Sequence, residues 1–582
     1  MKRWPPLASL LVCGWASVVP GFVTIPNDLG QPLRWNLATP DTTTGTNVVN
    51  PVTKAVRFFI AADAYSAANR EAELNAVRAC FDQWQAIPGT LLKFEEGGLI
   101  DGPVDINNFD FTNVVFWAKN SLWVEGDLIN MTGVLGFSVF SVSEDHALAN
   151  CDIVLNGVQY RWTTTPSAAA DASTFFIEPI LLHEIGHLIG LDHSPVGGAT
   201  MMTRAEGGLG LDSGLSTDEI AAARSLYERP DWASRQGTLR GQVTLDGAGV
   251  YGAVVSAENP AGNLVSGTVT LGDGSYSLPA LPPATYRVRV TPLDPATATW
   301  WLLSGADIDI NTYPSAQTAF LPTAPVTVTL TGGLVTSTNF ALTAGNPAFR
   351  VARILTLDNE RLINAPVSIY PGQSNLTVGV LSPDLPTSGA TLSVSGDGVT
   401  LGATHFEPAV YRNLNLLSAP IDLAATATPG MRTLIVQRGS DIAYANGFLV
   451  VLPLVPDVNF DGLDDRFQRQ YFPLFTAPEA GPNADPDQDG FNNLAEYIAG
   501  TDPTDRASVL RLNPIHSAGP GSVTLQWASA AGKKYQIFIH DASPTRPWLP
   551  LAPLILGAPS TTQWTDTQAG QGPRLYRLQA IP

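Results

Sequence analysis

Three imidazoles and a carboxylate stand close together in the stretch Leu182 to His193, which reads LHEIGHLIGLDH. His183 and His187 are four residues apart, so on a helix their rings leave the same face one turn apart, at a separation that one metal ion can bridge. Glu184 follows the first of them and can reach a water on that ion without ligating it. Gly190, three residues beyond His187, can take the positive φ that ends a helix and turns the chain back. That return delivers His193 as a third imidazole. Three neutral imidazoles leave one vertex of a tetrahedral zinc free for water, which is the arrangement of a catalytic ion. A bare HExxH arises by chance, but the longer HExxHxxGxxH fixes five positions, follows an apolar run of helical period and uses three of the seven histidines in the chain.

This stretch resembles the zinc site of the metzincin peptidases, and the continuation DHS is most similar to their matrixin branch. The resemblance spans about residues 30 to 229 and implies a secreted zinc endopeptidase, with Zn2+ held by His183, His187 and His193. Glu184 would be the general base, taking a proton from water and handing it to the leaving amine. The ion would bring the pKa of that water toward ~7 and polarise the scissile carbonyl. The family also requires a methionine in a tight turn below the ion. SPVGGATMM places Met201 there as an apolar floor, with Met202 the candidate if the register slips by one. The segment Gly133 to Val142 (GVLGFSVFSV) resembles the edge strand on which the family lays its substrate as an added strand, the plainer alternative being a buried strand. Asp192 is either an acceptor that orients a ligand imidazole or a solvent-facing acid. Two departures stand out. Only His146 lies where matrixins hold a further structural zinc, so that site is expected to be missing, and no cysteine-bearing propeptide motif follows the leader.

The elements around this motif follow from periodicity. Val56 to Ala61 (VRFFIA) reads as a strand, as do Asn113 to Trp117 and Cys151 to Leu155. Between Asn69 and Gln85, Leu74, Val77, Cys80, Phe81 and Trp84 recur at spacings of three and four and define an amphipathic helix. Phe176 to Ile189 is an apolar helix carrying the histidines. Ser216, with Glu219 three residues on, opens a last helix with a capping-box pattern.

Beyond residue 230 short alternating strands separated by Gly, Asp and Pro replace this mixture. The expected organisation is a leader over 1–22, an α+β metzincin-like catalytic domain over 23–229 with a twisted mixed sheet and an active-site helix, and then several β-sandwich modules. Residues 236–345 resemble the transthyretin-like or carboxypeptidase-regulatory-like sandwiches, 346–455 read as an Ig-like sandwich, 456–506 as a calcium-loop segment and 507–582 as a terminal β module.

Asp485 to Glu496 (DPDQDGFNNLAE) carries oxygen donors at the positions of a twelve-residue calcium loop: Asp485, Asp487, Asp489, the backbone of Phe491, Asn493 and Glu496, with Gly490 at the sharp turn. Asp457, Asn459 and Asp461 begin a second such pattern, in which Gln468 stands where the bidentate acid belongs. Together they resemble the calcium-binding, thrombospondin-type-3 or EF-like linkers of secreted bacterial proteins, with structural Ca2+ stiffening a join; a solvated acidic linker is the alternative.

With 52 acidic against 32 basic residues the net charge is -20, which argues against nucleic acid or an anionic membrane as partner. Met1, Lys2 and Arg3 precede an apolar stretch from Leu7 to Val19, the layout of a secretory signal peptide and shorter than the ~20 residues of a spanning helix. The protein is therefore expected outside the cell, free or at a surface, and not transmembrane. Outside the leader stand Cys80 and Cys151, which can pair across a long loop or remain buried thiols. A peptide or protein is the expected substrate, and the C-terminal modules are open to an extracellular-matrix or cell-surface ligand. The competing reading is a calcium-stiffened adhesin or carbohydrate-binding protein whose peptidase-like domain is inactive.

Overall fold

The computed structural model describes Leu11–Val12 and residues 24–582, apart from 39–47, 108–109, 127, 167–172, 203–213, 294–314, 352, 359–360, 363–366, 412, 514–515, 520, 542–545 and 570–573. The leader expected over 1–22 thus lies outside the described residues except for that dipeptide. The chain forms two compact units, Met1–Leu454 and Val455–Pro582. Among the described residues no helix is long and apolar enough to cross a membrane.

In chain order the first part of unit one contains β1 (Leu11–Val12), β2 (Val56–Ala61), α1 (Arg70–Gln85), β3 (Phe94–Ile100), β4 (Val114–Ala118), a hairpin of β5 (Trp123–Val124) and β6 (Ile129–Asn130), then β7 (Gly136–Val142), β8 (Leu148–Asn156), β9 (Arg161–Thr163), β10 (Thr174–Phe176), α2 (Ile177–Leu188) and α3 (Thr217–Leu226). The main sheet runs β1-β7-β8-β4-β2-β3. Its members β3, β2, β4 and β8 are parallel, and β7 returns antiparallel to β8. All of β4 is buried, as expected of a central strand covered on both faces. The apolar stripe of α1 does what its spacing predicts: Leu74, Val77, Cys80, Phe81 and Trp84 are buried, and Phe81 stacks on Phe58 of β2 with ring centroids 3.8 Å apart. Trp84 donates its indole N–H to the Leu182 carbonyl at 3.1 Å, which locks α1 against α2. Strand β3 (FEEGGLI) escaped sequence reading because its acids and glycines mask any alternation; half-exposed at the sheet margin, it carries the Glu95 and Glu96 partners of Arg57 and Arg78.

In the stretch 236–455 one of the sheets crosses the boundary expected near residue 345. One eight-stranded sheet takes Val326–Thr329, Thr285–Pro292, Ala253–Glu258 and Leu264–Val269 from the first half and continues into Gly430–Arg438, Asp441–Val451, Val367–Ile369 and Thr391–Val394 from the second. The junction is the antiparallel pair Leu264 and Met431. A fully buried ion pair reinforces it: the Arg289 guanidinium lies 2.7 Å from Glu258 and donates to Thr433 Oγ1 and Asn446 Oδ1. Burying two charges is tolerable only when both are paired and hydrogen-bonded, and this network meets most of that condition.

Unit two begins with two short helices, Asp465–Tyr471 and Asn493–Ala499, each following one of the acidic loops. Its β part is held by the cluster Leu525, Trp527, Tyr535 and Ile537.

Of the two options expected for Cys80 and Cys151, the structure shows no disulfide joining them, and both are buried. Cys80 faces α2, with its sulfur 3.9 Å from the Glu178 carbonyl, whereas Cys151 sits within β8 opposite Phe140. Peptide mapping of denatured, unreduced protein is expected to recover no peptide pair joined through Cys80 and Cys151. Recovery of a peptide pair linked through them would contradict this.

Candidate metal centre

The positions of the three histidines follow from how α2 ends. Gly190 adopts φ +100°, and the chain closes the helix with Gly190 N–H donating to His187 O at 2.9 Å and Leu191 N–H to Gly186 O at 2.9 Å. This is the paired C-terminal closure that a left-handed glycine permits. Side chains take up the remaining carbonyls: the Trp35 indole donates to Leu188 O and the Tyr227 hydroxyl to Ile189 O, each at 2.8 Å. The Ile25 amide then donates to Gly190 O at 3.0 Å. A side chain at Gly190 would place its Cβ 2.0 Å from the Leu33 carbonyl oxygen, so space as well as φ demands glycine. Residues 24–36, which are polar and irregular in sequence, thus form the clasp around the end of the helix.

After the bend the chain passes directly to His193. The rings of His183, His187 and His193 lie with centroids 4.8 to 5.2 Å apart, and their candidate ligand atoms fall within 4.8 Å of one another. His183 Nδ1 lies 2.8 Å from Thr200 O and His187 Nδ1 lies 2.8 Å from Leu191 O. Carbonyls only accept, so both Nδ1 atoms carry the proton and each Nε2 lone pair is left for a cation. Burial depresses all three imidazoles to about 3, each helped by a neighbouring imidazole, so the rings are neutral at physiological pH. A cluster of neutral, preoriented nitrogens fits a zinc ion.

Glu184 is buried beside them. Its Oε2 accepts from the Ser138 hydroxyl at 2.8 Å, and burial pushes its carboxyl up to about 8 against the pull of that hydrogen bond. A cation among the imidazoles would bring it back down. Ser138 belongs to β7, so the carboxylate is tied to the strand that sequence resemblance marks for substrate. Among the described residues the outer side of β7 is taken by β1 alone, where Leu11 and Val12 pair antiparallel with Phe140 and Val139. Asp192 does not hold the His193 ring: its Oδ1 accepts the His193 backbone N–H at 2.8 Å and lies 3.8 Å from Nδ1.

Met201, not Met202, lies under the histidines. An added Cβ on Gly186 would meet Met201 Sδ at 2.1 Å, so the thioether packs against bare helix backbone between Glu184 and His187. Met202 points instead into the core of the β region, with Phe349, Leu434 and Phe448. The turn is fastened by Glu219, read from the sequence as a capping residue, and by its neighbour Asp218. Glu219 receives the Ser216 N–H through one oxygen, as a capping box requires, and the Met201 N–H at 2.9 Å through the other. Asp218 accepts from Ser194 Oγ at 2.6 Å and from Gly267 N–H at 3.0 Å. Both acids are buried, a signal the DE pair alone does not reveal.

With this geometry in place, comparison with known families decides the domain's kinship: residues 52–228 match the matrixin family. This part of the chain is a matrixin-like peptidase domain. Residues 238–312 match the carboxypeptidase regulatory-like domain, which agrees with the sandwich that follows the peptidase domain. No curated protein matches the chain. Solved structures superpose only loosely. The Bacillus anthracis TIE protein matches 38% of this chain at 12% identity and a TM-score of 0.14, over 33% of its own length. The major pilin subunit of Bacillus cereus matches 59% at 10% identity and a TM-score of 0.14, over 88% of its own length. Fervidolysin from Fervidobacterium pennivorans, a keratinolytic enzyme, matches 37% at 13% identity and a TM-score of 0.13, over 31% of its length. Superpositions of this kind bear on neither fold nor activity.

In unit two the carboxylates of Asp485, Asp487 and Asp489 fall within 4.8 Å of one another. Asp485 caps the turn by accepting from Asp489 N–H and Gly490 N–H, while Phe491 is 47% exposed and donates its N–H to Asp489. Glu496 and Asn493 are buried, and Glu496 Oε2, Asn493 Oδ1, Asp487 Oδ2 and Asp489 Oδ2 have no hydrogen-bond partner. Burial, with Asp487, Asp489 and Asp485 adding to it, pushes Glu496 up to about 7. In the other loop Gln468 Nε2 donates to Asp461 Oδ2 at 2.7 Å, and Asp457 caps the turn at Asp461 and Gly462. Asn459 Oδ1 and Asp465 Oδ1 are the unpartnered oxygens there. Asp465, absent from the sequence-derived set, is buried at loop position nine, where such a loop places one of its donors.

Gly190→Ala is expected to cost more than about 1 kcal/mol, because it imposes a strained φ and a clash together. Urea unfolding of the variant measures it; a neutral outcome would contradict the assigned role of the bend.

Proposed function

We propose that the protein is a secreted zinc-dependent endopeptidase whose ion is held by His183, His187 and His193, with Glu184 as general base. The observation that carries this reading is the convergence of three neutral imidazoles, two of them fixed by carbonyls through Nδ1, beside a buried carboxylate that does not compete for the same position. Bound there, zinc would supply Lewis acidity toward a substrate carbonyl and toward a water molecule.

The rest is the work of the chain. Glu184 accepts the proton of the attacking water and returns it to the departing amine, for which a carboxyl poised within reach and shielded from solvent is suited. Ser138 orients that carboxylate through its hydroxyl. Strand β7 offers its outer main-chain groups to an extended peptide, as its pairing with Leu11–Val12 illustrates, so the scissile bond would be aligned by backbone rather than by side-chain chemistry. Met201 and Gly186 set the floor of the site by contact.

The reading extends to structural calcium in unit two. Four buried or partly buried oxygens without partners, aimed from Asp487, Asp489, Asn493 and Glu496, are what a hard cation satisfies. The Asp457, Asn459 and Asp461 loop is proposed as a weaker site, since the Gln468 amide, standing where a bidentate acid belongs, already occupies one Asp461 oxygen through a hydrogen bond. The leader-like layout of Met1 to Val19 and the excess of acidic residues support the reading of an extracellular setting, where calcium is abundant.

Cleavage of a quenched fluorogenic peptide library by purified protein tests the first proposal. Glu184→Ala is expected to lower the rate by about 10²–10⁴-fold. Chelation should abolish cleavage and added zinc should restore it; equal cleavage by wild type, variant and chelated protein would refute the mechanism. For calcium, thermal melts of the full chain are expected to shift upward with Ca2+ more than with Mg2+, and Glu496→Gln should remove most of that shift. An identical response to both ions in wild type and variant would exclude the site.

A further inference from the structure

The loop that joins His193 to the methionine turn does not rest on the peptidase domain alone. It is docked into the β region that follows. Val196 is fully buried among Leu264, Ala199 and Met431, and its two methyls fit against glycines: a Cβ on Gly267 would come within 2.7 Å of one, and a Cβ on Gly447 within 2.6 Å of the other. Gly197 donates its N–H to Asn446 O at 2.8 Å and lies flat on Phe448, whose ring would meet an added Cβ at 2.4 Å. Gly198 lies equally close to Val450 and to the Gly447 carbonyl. Met202 closes the loop by entering the same core as Phe448. On the other side Asp218 joins Ser194 to the Gly267 backbone, and Thr217 Oγ1 donates to Val265 O at 2.8 Å.

Every residue between His193 and Met202 thus lies in a segment gripped at several points by Leu264–Val269 and Asp441–Val451. The grip is itself rigid. Asn446 is held by Arg289 at 2.8 Å and by Thr291 at 3.2 Å, and Arg289 is paired with Glu258 inside the eight-stranded sheet. Resting on the zinc reading above, we propose that the β region is a structural wall of the metal centre, with Phe448 and Asn446 as positioning residues that set His193 and Met201 through Gly197. The accessory strands are part of the site's construction, and the third imidazole is placed by residues some 250 positions later in the chain. Interactions that orient metal ligands from outside the first set of contacts typically matter by 10–100-fold in affinity.

A double-mutant cycle on the full chain tests this, read by zinc affinity in competition with a chromophoric chelator and by kcat and KM separately. Gly197→Ala, which drives a methyl into the Phe448 ring, is expected to weaken zinc binding by about tenfold or more and to lower kcat with little change in KM. Phe448→Leu withdraws the ring and should give a smaller loss in the same direction. Combined, the two changes relieve the clash, and the pair should bind zinc more tightly than Gly197→Ala alone. A merely structural role would lower the melting temperature of all three variants while zinc affinity stayed at the wild-type value, and that result overturns the proposal. If Gly197→Ala does not fold, Phe448→Leu decides by the same criterion. Wild-type protein that binds no zinc refutes the function proposed above. Wild-type protein that binds zinc and needs Glu184, with both loop variants unaltered in affinity, refutes only the wall.

Discussion

A three-imidazole site on a helix depends on a chain reversal, because only two ligands can leave one helical face within reach of the same ion. In this protein the reversal is the closure of α2 at Gly190, where two backbone N–H groups turn back onto Gly186 and His187 and the exposed carbonyls beyond are taken by Trp35, Tyr227 and Ile25. Four unsatisfied carbonyls at a buried helix end would otherwise carry a large desolvation cost. The arrangement therefore solves a backbone problem and a ligand-placement problem together. His187 benefits directly, since the Leu191 carbonyl delivered by the bend fixes its tautomer.

From that bend outward the molecule is a series of supports. Helix α1 holds α2 from behind through Trp84, and β7 brings Ser138 to Glu184. Helix α3 carries two adjacent acids that divide the next loop between them, Glu219 on the Met201 amide and Asp218 on Ser194. The strands after residue 236 meet the far side of the same loop. A candidate site of three imidazoles and one carboxylate thus draws on segments from residue 24 to residue 451, and the strands after residue 236 contribute backbone contacts and packing.

Much of the site was legible in the sequence because its determinants are local. Spacing of four and six residues, one glycine and an apolar helical period suffice to bring His183, His187, Glu184 and His193 together, and the stripe on α1 is read the same way. What was illegible is non-local. Glu219 scans as a capping residue because its second oxygen meets Met201 only in the folded chain. Gly197 and Gly198 look like turn residues, and nothing near them names Phe448 or Asn446. The separate sandwiches expected over 236–345 and 346–455 share a sheet because Leu264 pairs with Met431 across 167 positions, a register that no local pattern encodes. Cys80 and Cys151 offered a disulfide by count, and only the folded chain shows that no such bond joins them.

The central claim is that these imidazoles share one ion. Metal analysis of purified protein by mass spectrometry, combined with X-ray absorption at the zinc edge, addresses it most directly. The account predicts about one zinc per chain with three nitrogen neighbours near ~2.0–2.1 Å, falling to trace occupancy in His193→Ala. Protein that is folded yet binds no zinc, or binds it equally well without His193, would contradict it.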